Sequence, residues 1–204
     1  GWEPLDRGVE SAKKTGTFVM VDQTPIKSRP MDKMMLNHLN PGDIVTHCYG
    51  YSKPMIDRNN KVHKYFYEAR KKGILFDVGH GAGSFSFKIA NAALKEDFLP
   101  DTISTDMHVN SILNNQASMP EVMSRLLACG MKLDDIIKKS TLDPAIKIGH
   151  PELGTLSESA IADIAVLNIN NGNFGLTDNG SGIRKYLTNK RINCEMTIKD
   201  GEIL

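Results

Sequence analysis

The sequence predicts an α/β fold built on a parallel sheet, followed by a smaller all-β module. Three observations predict it. Short apolar runs alternate with helical patterns about every 25–30 residues from the start of the chain to Gly149. Within that alternation, Gly73–Phe87 reads as one complete βα unit. Ile74, Leu75, Phe76 and Val78 form a strand interrupted by Asp77, Gly79–Gly83 form a tight corner, and Ser84–Ala90 opens a helix. After Gly149 the texture changes to strand patterns with no clear helix between them.

The elements follow in order. Pro4–Lys14 reads as a helix, with proline in its first turn and Gly16 beyond its end. Phe18–Val21 is a buried strand ending on Asp22, and Pro25 and Pro30 mark the loop after it. Met31–Leu39 is a helix stopped by Asn40-Pro41-Gly42, and Asp43–Cys48 is the next strand. A loop to about Asn60 precedes a helix over Val62–Lys72, then the Gly73–Phe87 unit with its helix to about Lys95. Leu99–Asp106 reads as a fourth strand. Helices are expected over Pro120–Cys129 and Leu133–Ser140, with a short one over Asp143–Gly149. Ala162–Leu167 and Cys194–Ile198 read as strands, and the Asn- and Gly-rich stretch Asn168–Gly182 as loop. Asp200-Gly201 between Thr197–Lys199 and Glu202–Leu204 is the strongest hairpin signal. The alternation suits a barrel or a doubly wound sheet equally.

Composition narrows the function classes. At 204 residues the chain allows one good-sized domain, or one with a small appendage. Hydrophobic content of 40% and charged content of 24% are those of an ordinary globular protein. A net charge of +1 gives no electrostatic case for nucleic acid or an acidic membrane surface. No apolar run approaches the roughly 20 residues that span a bilayer. Cys48, Cys129 and Cys194 are odd in number and scattered, which argues against a disulfide framework and for the cytoplasm. The chain opens without methionine on what reads as a helix already under way, so a fragment of a longer protein is expected.

The chemistry gathers at strand ends. Asp22, His47 and Asp106 each close or adjoin a strand, and His80 lies just beyond the remaining one. In a parallel α/β fold such positions converge, and imidazole and carboxylate suit zinc or a similar divalent ion. Each residue also has a plainer reading: Asp22 as a helix N-cap, a histidine as a hydrogen-bonded structural residue. If Thr46 and Cys48 face the helices, His47 faces the interior. His108, in the loop after Asp106, either contacts a substrate or is merely solvated. The spacing at Gly79–Gly83 does not complete GxGxxG, so the glycines read as a tight turn with backbone close to a ligand.

Five segments then carry a resemblance: THCYG at Thr46–Gly50, FDVGHGAGSFSF at Phe76–Phe87, PDTISTDMH at Pro100–His108, LLACGMKLDDIIKKSTLDPAIKIG at Leu126–Gly149 and ADIAVL at Ala162–Leu167. In this order they resemble the dihydroorotase-like deacetylase branch of the amidohydrolase superfamily. The resemblance implies the C-terminal half of a (β/α)8 TIM barrel, strands five to eight, over residues 1–150. Residues 151–204 would then be C-terminal strands of a small β-sandwich. It implies metal-dependent hydrolysis of an amide, cyclic amide or acetyl bond, with one or two divalent ions, zinc foremost.

By position, the resemblance makes His47 and Asp22 ligands of one metal. Asp106 binds the other and acts as general base, and His80 and His108 are substrate-side residues. Asp22 stands where the family has a histidine. The family's His-x-His pair and bridging lysine lie upstream of the matching segments and are absent from these 204 residues. The missing half-barrel or another copy of the chain is the expected partner, beside a small amide or acetylated substrate. A catalytically dead half-barrel serving as a binding or assembly module is the competing expectation.

Overall fold

A short parallel sheet carries the first part of the chain, and a long antiparallel hairpin carries the last. The computed structural model describes residues 1–22, 24–52, 55–81, 83–113, 118–178 and 184–204. Strands β1 (Met20–Val21), β2 (Ile44–Val45) and β3 (Leu75–Phe76) lie side by side in that order, all parallel. Helices connect and flank them: α1 (Glu3–Thr15), α2 (Met31–Lys33), α3 (Lys64–Lys72), α4 (Phe87–Lys95), α5 (Val109–Leu113), α6 (Met119–Ala128), α7 (Leu133–Ser140) and α8 (Leu142–Lys147).

Local chemistry explains the helix ends. Gly16 and Gly73 close α1 and α3 in the left-handed conformation, which lacks a Cβ penalty only for glycine. Ser86 and Ser118 cap α4 and α6 by accepting the N–H of Ile89 and Glu121, each at 3.3 Å. The helix expected over Met31–Leu39 is α-helical only in its first turn and continues as a π-helical turn over Met34–His38. Lys72 from α3 satisfies the carbonyls freed there, donating to Leu36 O at 2.7 Å and Leu39 O at 2.6 Å.

The fourth strand expected over Leu99–Asp106 is reduced to a single parallel bridge between Asp77 and Thr102. The cause is local. Asp101 Oδ2 accepts the Phe76 N–H at 2.8 Å, taking the place of a ladder carbonyl. The segment still tracks β3, because Val78, His80 and Gly81 donate to Thr102 O, Ser104 O and Thr105 O at 3.0–3.1 Å.

Val21, Val45, Phe76, Val78 and Ile103 point from the sheet into one core with Met34, Met35, Phe66 and Phe98. Phe66, Phe76 and Phe98 pack with ring centroids 5.2–6.1 Å apart, and the Arg70 guanidinium lies 3.8 Å over Phe98. On the opposite face, at the outer strand, Met20 is 51% exposed.

After a 3₁₀ turn at Pro151–Gly154, strands β4 (Ile164–Asp178), β5 (Arg184–Lys199) and β6 (Glu202–Ile203) form an antiparallel sheet. The expected loop at Asn168–Gly182 is instead strand as far as Asp178, and residues 179–182 lie outside the described ones. Continuous pairing with β5 overrides the poor strand propensity of Asn and Gly, and a register shift between Asn171 and Phe174 absorbs the Gly172 region. The Asp200-Gly201 hairpin forms as expected, with positive φ at both residues, 52° and 85°.

This sheet docks on α6. Leu176 and Ile192 enter the core, and Tyr186 stacks on Phe87 with centroids 4.0 Å apart. Arg125, 1% exposed, donates to Thr177 O and pairs with Glu121, which also pairs with Arg191 at 3.1 Å. Among the described residues no helix is long and apolar enough to cross a membrane.

Candidate active site at the strand ends

The carboxyl ends of β1 and β2 and of the bridge segment converge on one imidazole. His47 Nε2 lies 3.4 Å from Asp22 Oδ2 and 3.9 Å from Asp106 Oδ2. The His47 side chain is 10% accessible, against 64% for Asp22 and 43% for Asp106. The arrangement is therefore a sunken imidazole beneath two open carboxylates.

His47 reaches that position by a route that strand alternation does not describe. The condition that Thr46 faces the helices is not met; Thr46 faces the interior, and its hydroxyl donates to Asp77 Oδ2 at 2.8 Å. Strict alternation would then send His47 toward the helices. Instead the chain turns left-handed at His47, with φ of 58°, and the imidazole swings back over the sheet end. Cys48 takes the helix-side position and is buried in the core, in keeping with a packing role. Asp106 also sits in the left-handed region, at φ 47°. Such corners cost roughly 1–3 kcal/mol each and persist only where surroundings hold them.

Two glycines make room for the pair. A Cβ on Gly79 would stand 2.1 Å from Thr46 Oγ1 and 2.7 Å from His47 Nδ1, and one on Gly81 would stand 2.6 Å from Asp106 Oδ2. Of the expected turn, Gly79 and Gly81 have positive φ, 47° and 48°, and what approaches their backbone is the side chains of His47 and Asp106; Ala82 lies outside the described residues. His47 Nδ1 is 2.5 Å from Gly79 O. A carbonyl only accepts, so Nδ1 donates to it, and Nε2 is the ring nitrogen that faces the carboxylates.

The two substrate-side histidines are placed differently. His80 is 1% exposed, with its ring 5.8 Å from Phe85 and Nδ1 buried with no hydrogen-bond partner among the described residues. Burial, helped by the nearby Arg125 charge, pulls its pKa down to about 3, so the ring is neutral. His108 is exposed; its N–H donates to Ser111 Oγ at 2.9 Å, opening α5. Met107, Val109, Ile112 and Leu113 around it are all more than half exposed.

One imidazole nitrogen and two carboxylates facing one opening are a donor set that suits a divalent cation. Among the described residues, no group of three or more His, Cys, Asp and Glu side chains is drawn close enough to hold such an ion by itself. Sequence reasoning also passed over Thr46, Asp77, Thr102 and Ser104, which lie directly beneath the site. Their signal was a lone carboxylate inside an apolar strand, with hydroxyl residues at matching positions on its neighbours.

Comparison with known proteins gives the family. The Amidohydrolase family description matches residues 10–204, and the chain belongs to that family. It is 31% identical over 188 residues to a deacetylase of Brucella anthropi, covering 91% of this chain and 46% of that protein. It is 31% identical over 168 residues to a deacetylase of Enterococcus faecalis, covering 81% and 45%. The chain thus spans about half the length of the curated relatives it matches. Among solved structures, an adenine deaminase superposes on all of this chain and 55% of its own, with TM-score 0.91 and 27% identity. A dihydroorotase does so with TM-score 0.84 and 28% identity, again over 55% of its length. The likeness is consistent with a partial TIM barrel.

Proposed function

We propose that this chain forms part of a metal-dependent hydrolase that cleaves a C–N bond, as in an amide or cyclic amide, or an acetyl bond of a small molecule. The observation that carries the reading is His47: its Nδ1 donates to Gly79 O, and its Nε2 is presented to Asp22 and Asp106. His47 and Asp22 would hold one divalent ion, zinc foremost, and Asp106 a second. Such an ion lowers the pKa of bound water to roughly 7, making hydroxide available at neutral pH. Asp106, open to the mouth, takes the proton from the attacking water and returns it to the leaving group. His108 has the exposure that a substrate contact requires. His80 would serve the substrate side from behind the Gly79–Gly81 turn as a neutral imidazole.

The remaining donors and strands would come from an upstream segment or another copy of the chain. On this reading residues 1–150 supply barrel strands five to eight and residues 151–204 the end of a β-sandwich. Cys48, Cys129 and Cys194, none of them in a disulfide, fit a cytoplasmic setting. The isolated chain is incomplete and is expected to be inactive, so metal analysis of the purified full-length protein, with hydrolysis assays on N-acetyl, acetyl ester and cyclic-amide compounds, tests the proposal. Bound zinc and turnover are expected; neither metal nor hydrolysis would overturn it.

A second reading, a binding or assembly module without catalysis, is favoured by Asp22 in the family's histidine position. Asp22→His separates the two: a gain in zinc affinity is expected for a hydrolase site, and no gain for the module.

A further inference from the structure

Directly beneath His47 lies a carboxylate to which the proposed reaction gives no part. Asp77 follows β3 on the interior side and is 1% exposed. Its Oδ2 accepts the hydroxyls of Thr46 at 2.8 Å and Ser104 at 2.7 Å, and its Oδ1 that of Thr102 at 2.7 Å. Among the described residues no cation is paired with it. A buried carboxylate is costly even when fully hydrogen-bonded, and an apolar side chain would fill the same space more cheaply. Its partners show what it holds. Thr46 immediately precedes the left-handed corner at His47, and Ser104 stands two residues before the one at Asp106. The backbone carbonyl of Asp77 also accepts the Cys48 N–H at 3.0 Å. One residue therefore grips the chain on both sides of His47 and ties it to the segment that carries Asp106.

We propose that Asp77 is a positioning residue: with the hydroxyls of Thr46, Thr102 and Ser104 it fixes the two left-handed corners that set His47 Nε2 against Asp22 and Asp106. The consequence for metal binding rests on the hydrolase reading; the consequence for His47 does not. Asparagine at this position can still accept from Thr102 and donate its N–H groups to the oxygens of Thr46 and Ser104. The ring of bonds then survives without its charge. Alanine cannot form it.

The test measures zinc affinity by calorimetry and the His47 ring tautomer by ¹⁵N NMR in Asp77→Asn, Asp77→Ala and the double variant Thr46→Val/Ser104→Ala. Asp77→Ala is expected to bind zinc about 10–100-fold more weakly and to show mixed His47 tautomers. Asp77→Asn should stay close to wild type in both. Wild-type affinity and a single Nδ1–H tautomer in Asp77→Ala would overturn the proposal. If Asp77→Ala does not fold, the double variant decides by the same two readouts, with its melting temperature as control. If the wild type itself binds no zinc, the hydrolase reading falls and the tautomer alone decides: mixed in the variants supports Asp77, unchanged overturns it.

Discussion

At the residue scale, the site depends on small groups that hold larger ones. Gly79→Ala places a methyl 2.1 Å from Thr46 Oγ1 at a φ of 47°. The backbone alone costs about 1–2 kcal/mol, and the clash moves His47. Chemical denaturation should show the lost stability, and a zinc titration the lost affinity. His80 sets an acid limit on the fold. Its folded pKa of about 3 lies below the ordinary value of 6.5, so between these the unfolded chain binds more protons. Its contribution is fully present above pH 6.5 and is lost as pH falls toward 3. Melting temperatures of wild type and His80→Phe between pH 7 and 4 should diverge, with the wild type falling more steeply. The residue types Asp22, His47 and Asp106 were legible in the sequence because acid and imidazole groups at strand ends are conspicuous. The direction of Thr46 was not, since a left-handed corner at His47 breaks the alternation on which side-chain facing is read.

At the element scale, α6 is the joint between the two sheets. Arg125 reaches from it to Thr177 O on β4, and Glu121 reaches to Arg191 on β5. Ser124 Oγ accepts the Ile192 N–H at 2.9 Å. Arg125→Ala leaves Glu121 its pair with Arg191 but removes the buried hydrogen bonds that Arg125 makes to Glu121 and Thr177 O. It should destabilise the protein by about 1–3 kcal/mol, read from urea unfolding. Apart from the one expected over Met31–Leu39, which turns π-helical after Lys33, the helices expected from capping and periodicity are present within a few residues of their predicted ends, because those signals are local. The extent of β4 was hidden for the opposite reason: only pairing with a distant strand makes Asn168–Asp178 extended. The shortened fourth strand was likewise set by Asp101, a side chain competing for a backbone donor.

At the scale of the whole molecule, β1 pairs among the described residues with β2 alone and presents an outer edge beside half-exposed Met20. An open edge flanked by apolar side chains invites pairing with another strand. Residues 1–204 produced alone should self-associate with concentration, and Met20→Lys should shift them toward monomer in sedimentation velocity.

The sequence by itself determined the α/β class, the order of strand and helix, the hairpin at Asp200-Gly201 and the residue types of the site. Each is encoded by local periodicity, turn chemistry or motif. Only the tertiary structure decided which way Thr46 and His47 face, that His80 is enclosed while His108 is open, and that Asp77 lies under the site. Those facts depend on left-handed corners, and on hydrogen bonds between segments 25 to 32 positions apart, which no local pattern contains.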